Sequence, residues 1–224
     1  MHRVSRRQSR GHSTRLVGIL ALTLSLAVGL DWLAGARHTW ALAAGPMEAV
    51  KGSIDDALRI LADKELKGQD KSKERRQKLE AVVASRFSYE EMSRRALGAQ
   101  WTKLSEAERQ EFVELFRSLL INSYADRVES YSGEPINYVG ERVEKEYGEV
   151  RTKVMLGQAE VPLDYRLINR AGDWRVYDVV IDGISLVSNY RGQFSKILKN
   201  GSYQDLVEQL RKKSDKLAAS SKTP

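Results

Sequence analysis

The sequence contains no cysteine, and its three histidines, His2, His12 and His38, all lie within the first 43 of its 224 residues. If that segment is removed, the remaining chain has neither residue type. The combination excludes Ser-His-Asp and Cys-His catalysis, thiol redox chemistry and ordinary zinc sites. Carboxylate, lysine and tyrosine chemistry is what remains. Without cysteine, the chain also folds without disulfides.

The first 43 residues have the organisation of a secretory signal. Residues 1–15 carry five arginines and no acid, and residues 16–30 form an apolar run. That run is shorter than the ~20 residues of a membrane span. Small-residue cleavage sites follow at 34–36 and 41–43, and we favour the second because it leads directly into the folded pattern. The pair that begins at Arg6 leaves twin-arginine export open beside the Sec route, and an uncleaved membrane anchor is a further alternative.

Removal of the signal changes the charge of the chain. The sequence has 37 basic and 30 acidic residues, a net charge of +7. Residues 1–43 hold six arginines and one aspartate, so the rest holds 31 basic and 29 acidic residues, a net charge of +2. This balance gives no electrostatic footprint for nucleic acid. We expect residues 44–224 to form one domain with a substantial core, and the tail from about residue 218 to fray.

The first half of this domain has a helical period. Residues 47–67 place apolar side chains at three- and four-residue steps, and a second helix is predicted from about residue 72. Ser88, three residues before Glu91, is typical of a capping box and predicts a short helix. Ser105 predicts the start of a long helix that runs to about residue 131.

The period changes from 3.6 to 2 after residue 135. Strands are predicted at 136–146, 149–156, 160–169 and 173–182. Their separators are short, so we expect an antiparallel meander with one face on the helices and the other in solvent. Two further helices are predicted over residues 186–198 and 202–217.

The most informative stretch is residues 173–194, DWRVYDVVIDGISLVSNYRGQF. It is a strand of aromatic and β-branched residues, an Asp-Gly turn and an apolar segment. We interpret it as the wall and lid of an apolar cavity rather than a catalytic centre, because it contains no histidine or cysteine.

Three segments carry a resemblance to a known family. They are RFSYEEM with ALG and tryptophan after it (86–101), the long helix ending in Ser-Gly (112–133), and WRVYDV with GISLV and NYR after it (174–191). In these segments the chain resembles the MlaC family of periplasmic phospholipid-binding proteins, also called the toluene-tolerance auxiliary family. The resemblance covers essentially the whole of the predicted mature domain, and membership of a hopanoid-associated subgroup stays open.

The resemblance implies an α+β fold, in which N-terminal and C-terminal helices pack on a curved four-stranded antiparallel sheet and enclose an apolar cavity. It implies a periplasmic carrier in a Gram-negative bacterium, a monomer with no catalytic residues and no metal, and no cofactor other than a bound phospholipid as cargo. The implied partners are an inner-membrane lipid ABC-transporter complex and an outer-membrane lipoprotein complex, in a system that maintains outer-membrane lipid asymmetry.

With this resemblance, we predict that the apolar faces of helices and sheet bind the lipid. The predicted lining residues are Met92, Leu97, Trp101, Phe112, Phe116, Leu119, Tyr124, Val154, Leu163, Tyr165, Leu167, Val176, Val180, Ile184, Leu186, Val187 and Tyr190. The sharpest hypothesis is that Phe116, Leu119, Leu163 and Tyr165 line one space.

Less specific alternatives remain open. The same apolar faces can form a solid core, and the protein would then be an adaptor. Asp178, beside a tyrosine, suggests a small cavity-type enzyme that uses acid-base chemistry on a lipid-like substrate, whereas a hydrogen-bonded strand residue is the plainer interpretation. Arg191 could meet a lipid phosphate or form a surface salt bridge. The charged run 71–78 could dock on head groups or a partner, or form a solvated helix face.

Overall fold

A computed structural model describes residues 44–131, 133–156 and 158–220. The predicted signal, residues 1–43, lies outside the described residues, as do residues 221–224. Within the described residues, none of the helices has the length and apolar character needed to cross a bilayer. The helices and strands, in chain order, are α1 (Pro46–Ala62), α2 (Ser72–Arg86), α3 (Tyr89–Leu97), α4 (Glu106–Glu129), β1 (Ile136–Glu144), β2 (Tyr147–Leu156), β3 (Ala159–Arg170), β4 (Asp173–Ile181), β5 (Ile184–Ser185), α5 (Leu186–Asn200) and α6 (Tyr203–Ser220).

Serine side chains cap α3, α4 and α5. The Ser105 hydroxyl accepts the Glu108 N–H, and the Glu108 carboxylate accepts the Ser105 N–H at 2.8 Å, so α4 begins with the complete capping box. Ser88 caps α3 by accepting a hydrogen bond from the Glu91 N–H, and Ser185 caps α5 in the same way. The predicted helix starts at Ser88 and Ser105 are confirmed. At the other end of the chain, α6 extends to Ser220, beyond the predicted end at residue 217.

The sheet is an antiparallel meander with strand order β1-β2-β3-β4-β5. The predicted fold class is confirmed, with one difference: the described residues contain five strands rather than four. The added strand, β5, has two residues, too few to show an alternating pattern. It follows the Asp182-Gly183 turn, where both residues have positive φ angles (50° and 77°), as a type I′ hairpin requires.

The apolar interior consists of two clusters, which we call the helical core and the sheet cluster. The helical core contains buried side chains of α3, α4, α5 and α6 and of the 3-10 turn at Gly98–Lys103. The sheet cluster is formed by α1 against the sheet, with Val50, Val150 and Leu167 almost fully buried. Phe87, at the end of α2, packs against both clusters and therefore joins them.

Strand β4 holds the starts of two helices of the core. Phe87 bridges to Val176, and the Ser88 N–H donates to the Val176 carbonyl at 2.8 Å, just before α3 begins. This bond also explains why the capping box at Ser88 is only half formed, since the Ser88 N–H is already used. The direction of α3 is thus fixed relative to the sheet.

Asp178 does the same for α5. Its side chain is about 5% exposed. Oδ1 accepts the Val187 N–H at 3.0 Å, while Oδ2 accepts from the Ser185 hydroxyl at 2.6 Å and from Arg166 Nη1 at 3.2 Å. The carboxylate therefore satisfies a donor in the first turn of α5 and links that turn to β3 and β4.

Helix α2 meets α4 through polar side chains. Leu79 is its one buried side chain among residues that are all described, and it belongs to neither cluster. On the side of α4, Arg75 Nη2 meets Glu129 Oε2 at 3.0 Å, and Arg76 Nη2 donates to Asn122 Oδ1 at 2.8 Å. The seam between α2 and α4 thus differs from the apolar contacts among α3, α4, α5 and α6.

Glu91 in α3 is a buried carboxylate, 7% exposed. Burial raises its pKa, but hydrogen bonds from Arg94 and Arg95 outweigh burial and hold that pKa below its ordinary value. Both arginines remain more exposed than the acid. The carboxylate is therefore stabilised in its ionised form in the folded state.

We predict that Asp178→Asn destabilises the domain by about 1–3 kcal/mol, because the amide nitrogen replaces an oxygen that accepts two hydrogen bonds. Asp182→Asn, in the exposed turn four residues later, is the matched control and should change stability by less than about 0.5 kcal/mol, since asparagine tolerates the positive φ angle. Urea unfolding followed by circular dichroism measures both. Equal midpoints for the two variants would contradict the assigned role of Asp178.

Glu91→Gln is expected to cost about 1–2 kcal/mol at pH 7. Because the folded pKa of Glu91 is lowered, its contribution is present above the ordinary pKa of 4.5 and is lost as the pH falls through the folded pKa. The difference between wild type and variant should therefore shrink between pH 5 and pH 3 in urea titrations, whereas Glu90→Gln, at an exposed position of the same turn, should have little effect at either pH. A difference that stays constant with pH would refute this assignment.

Candidate functional site

Three of the predicted lining residues form the centre of the helical core. Phe112, Phe116 and Leu119 of α4 are 0% exposed. The Phe116 ring lies 5.2 Å from the Tyr190 ring and 5.5 Å from the Phe194 ring, both in edge-to-face geometry. Close aromatic packing of this kind fills the space between helices. In this conformation the three residues face α5 and α6.

Apart from Leu186, which packs against the sheet cluster, the other predicted helix residues lie in the same place. Those buried in the helical core are Met92, Leu97, Trp101, Val187 and Tyr190, and Tyr124 is half-buried against them. The predicted strand residues are distributed differently. Leu167 and Val176 are buried in the sheet cluster, and Val154 is buried on the same face of β2. Val180 is buried on the other face of the sheet, because it lies opposite Asp164 and not opposite Leu163 or Tyr165. Ile184 is 62% exposed.

The structure therefore does not bring the four residues of the sharpest hypothesis into one space. Phe116 and Leu119 belong to the helical core, whereas Leu163 and Tyr165 pack against the sheet cluster. The reason is the placement of α4, whose apolar stripe faces other helices instead of the sheet. Of the four, Leu163 and Tyr165 are half-buried and keep accessible surface.

The inner face of the sheet carries a set of half-buried apolar side chains. Helix α1 approaches β1 and β2 closely, and α2, α3 and α5 approach β4, so that the close helix contacts fall on either side of the middle strand β3. We call the half-buried apolar side chains that pack against the sheet cluster, from this face and from the helices beside it, the sheet cleft. It consists of Met47, Ile54, Phe87, Leu163, Tyr165, Ile181 and Leu186.

Two tyrosines face the sheet cleft without hydrogen-bond partners. Tyr138 lies opposite Thr152, and Tyr165 opposite Val150, at positions of the same sheet face. Burial raises the pKa of Tyr138 to about 12 and that of Tyr165 well above its usual range. Among the described residues, neither hydroxyl makes a hydrogen bond, whereas the nearby Tyr131 hydroxyl donates to the Glu134 carbonyl.

A charged rim borders this face on the side of β1. Lys51 Nζ of α1 lies 5.9 Å from the centre of the Tyr138 ring, and the charge of Asp55 contributes to the raised pKa of Tyr138. Sequence reasoning missed these three residues. Tyr138 could have been found, because it alternates with Ile136 on the inner face of β1, but Lys51 and Asp55 have the appearance of ordinary exposed helix positions.

The arrangement around Asp178 does not favour acid-base chemistry. All of its hydrogen bonds go to structural partners, as described above, and Asp182 is exposed in its turn. Within the described residues, no group of three or more acids is placed to hold a metal ion. The geometry therefore supports the plainer interpretation of Asp178 as a hydrogen-bonded strand residue.

The basic residues suggested for head-group contact have other environments. Arg191 is exposed, its guanidinium lies beside Gly98 at the start of the 3-10 turn, and among the described residues it forms no ion pair. In the run 71–78, Lys71 and Lys78 both pair with Glu74. The run is therefore an ion-paired helix face.

A pocket of about 310 Å³ lies on another side of α1, against α2 and the β3–β4 turn. Its walls include Glu48, Asp56, Arg86 and Asp173. Arg86 there donates to the Trp174 carbonyl and pairs with Asp173. These charged walls are unsuited to apolar groups, because desolvating a charge without a partner is costly.

Known proteins resemble this chain in sequence and in fold. The MlaC protein family matches residues 51–212. The intermembrane phospholipid transport system binding protein MlaC of Haemophilus influenzae is 25% identical over 125 residues, which are 52% of this chain and 57% of that protein. The match thus spans little more than half the length of this relative. The structure of a phospholipid-binding protein from Ralstonia solanacearum, in complex with a phospholipid, is similar with a TM-score of 0.70 and 28% identity, covering 78% of this chain and 99% of that one.

The difference between helical core and sheet cleft predicts opposite outcomes for two charge insertions. Phe116→Asp should abolish cooperative folding, because it buries an unpaired charge among closely packed rings. Leu163→Asp should keep a cooperative transition and lose about 1–3 kcal/mol, since the cleft admits water to the new charge. Val139→Asp, at an exposed position of β1, controls for charge in a strand. Urea unfolding measures all three, and a Leu163→Asp domain as unstable as Phe116→Asp would show that the β3 face is solid core.

Proposed function

The chain belongs to the MlaC family, and we propose that it is a periplasmic carrier that binds a phospholipid, or a related membrane lipid, with its acyl chains against the sheet cleft. A phospholipid is what the similar Ralstonia solanacearum protein binds, and it is the cargo class that we propose here. The carrier moves the lipid between outer- and inner-membrane complexes.

The energetics of a lipid in water require such a carrier. Two acyl chains have about 30 methylene groups, and each costs ~0.8 kcal/mol when exposed to water, so the gross cost is ~24 kcal/mol. A free lipid monomer therefore does not cross an aqueous compartment at a useful rate. A protein that covers the chains removes most of this cost, while the head group stays in water.

The observation that carries the proposal is the half-buried part of the inner face of β3, at Leu163 and Tyr165. Leu163 and Tyr165 lie in the middle of the sheet, where a solid domain would bury them, yet both keep accessible surface beside a fully packed helical core. Apolar surface of this kind is stabilised when an apolar ligand covers it. The sheet cleft is therefore the surface that we propose for the acyl chains. The packed helical core stabilises the domain around it.

The proposal also covers the compartment of the protein and the complexes with which it exchanges lipid. The arginine-rich, apolar first 43 residues support export to the periplasm, the compartment that a carrier between two membranes must occupy. The partners that we propose are an inner-membrane lipid ABC-transporter complex and an outer-membrane lipoprotein complex. The direction of transport depends on the lipid affinities of those complexes and on energy supplied there, so it is not a property of the carrier.

We propose no catalytic step. The enzyme alternative depended on Asp178, and the three hydrogen bonds of its carboxylate give that residue a structural role. The adaptor alternative requires a solid interior, and the half-buried part of the inner face of β3 argues against it. A carrier needs an apolar site that can open, and the observed residues meet that need without a nucleophile or a metal.

The test is to produce the full chain in a Gram-negative host, purify the exported protein from the periplasm and extract it with organic solvent. We expect about one phospholipid per chain by mass spectrometry, full loading of Val139→Asp and little loading of folded Leu163→Asp. Wild-type protein without lipid would refute the carrier function. A folded Leu163→Asp variant with a full lipid load would show that the acyl chains lie elsewhere.

A further inference from the structure

The Tyr165 side chain has aliphatic neighbours on the adjoining strands, while Tyr138 and Tyr131 lie near enough to contribute to its raised pKa. Tyr165 lies on the middle strand, opposite Val150 of β2 and Val179 of β4, with Leu163 two residues away on the same face. Among the described residues it has no hydrogen-bond partner. A buried hydroxyl without a partner costs free energy, so this donor needs an acceptor when an apolar ligand displaces water from the cleft.

Among the described residues, two hydroxyl groups near Tyr165 already donate hydrogen bonds within the protein. The Thr152 hydroxyl donates to the Leu163 carbonyl, and the Tyr131 hydroxyl donates to the Glu134 carbonyl. Tyr138 is the other free hydroxyl on this face, and it lies on β1, where Lys51 and Asp55 form the charged rim. The charged groups therefore lie on the β1 side of this face, whereas Tyr165 lies two strands away with Val150 and Val179 as its neighbours on the adjoining strands.

A glycerolipid likewise carries its charged groups at one end. Its charged head group suits the rim, its acyl chains suit the aliphatic surface, and the two carbonyl oxygens of its ester linkages lie between them. A phosphate group at Tyr165 would be desolvated beside Val150, Val179 and Leu163 without a cation, which is unfavourable. An ester carbonyl is uncharged and accepts a hydrogen bond.

We infer that the Tyr165 hydroxyl donates a hydrogen bond to an ester carbonyl of the bound lipid, so that the site selects ester-linked over ether-linked glycerolipids. The inference rests on the proposed carrier function and names its substrate class. An ether oxygen is a poorer acceptor than a carbonyl, and an ether-linked lipid has no carbonyl at this depth. Its binding therefore leaves the donor unsatisfied.

The experiment uses two phosphatidylcholines with sixteen-carbon chains, one a diester and the other a diether. The full-chain protein, purified from the periplasm and stripped of lipid, is offered vesicles containing equal amounts of both, and native mass spectrometry gives the ratio bound. We expect wild type to favour the diester about fivefold, the effect of one hydrogen bond. Tyr165→Phe should bring the ratio close to one, with an unchanged melting temperature. Tyr138→Phe removes the corresponding hydroxyl oxygen beside the charged rim and should keep the preference for the diester.

The possible results distinguish three statements: that the protein carries lipid, that it selects ester-linked lipid, and that Tyr165 makes the selective contact. A wild-type ratio near one, with normal loading, overturns ester selection and leaves the carrier function intact. Failure of wild type to load either lipid is instead a failure of the carrier function. A preference that survives in Tyr165→Phe overturns the assignment to Tyr165, and a preference lost only in Tyr138→Phe moves the contact to the rim. Because the wild-type ratio is itself decisive, the test does not depend on how well a variant folds.

Discussion

The rest of the structure depends on the way β4 holds the helical core. Its Val176 carbonyl accepts a hydrogen bond at the start of α3, and its Asp178 carboxylate accepts hydrogen bonds at the start of α5. Two helices are thereby fixed to one strand by short polar contacts, and Phe87 fills the space between the two apolar clusters. Because these contacts set the direction of the helices, they also determine which sheet positions stay uncovered. The sheet cleft is a consequence of that geometry.

The sequence was sufficient for local structure, and the reasons are visible in particular residues. Ser105 with Glu108 identified the start of α4, and Asp182-Gly183 identified a turn, because capping and positive φ angles are set by near neighbours. The hairpin that this turn forms with β5 was not predicted, because two residues are too few to show a strand pattern. The environment of α4 could not be predicted this way. An apolar stripe with Phe116 and Leu119 fits a sheet or another helix equally well, and the choice depends on contacts with α5 and α6 that are distant in sequence. The same limit hid Tyr138 and Lys51, which meet only when α1 packs beside β1.

The tyrosines illustrate how a residue type gains its role from its position. Tyr190 is 6% exposed and packs edge-to-face on Phe116, so its ring contributes to a solid interior. Tyr165 has a similar chemical character but is half-buried in the middle of the sheet, where its hydroxyl lacks a partner among the described residues. A high tyrosine content is therefore compatible with both core and cavity. The closely packed helical core and the half-buried cleft are separate clusters. Side chains of the cleft can therefore be replaced without disturbing the packed rings of the core.

The polar seam between α2 and α4 opens at a different free-energy cost from the apolar contacts of the helical core. When the Arg75–Glu129 and Arg76–Asn122 contacts separate, all four side chains regain hydrogen bonds with water, so little free energy is lost. Separating α4 from α6 would instead expose phenylalanine and leucine. Thermal motion should therefore separate α2 from α4 more often than it separates the helices of the core from one another. Since dissolved ions screen charge pairs of this kind, the frequency of these excursions should rise with the salt content of the surrounding fluid, even where the packed interior is unaffected.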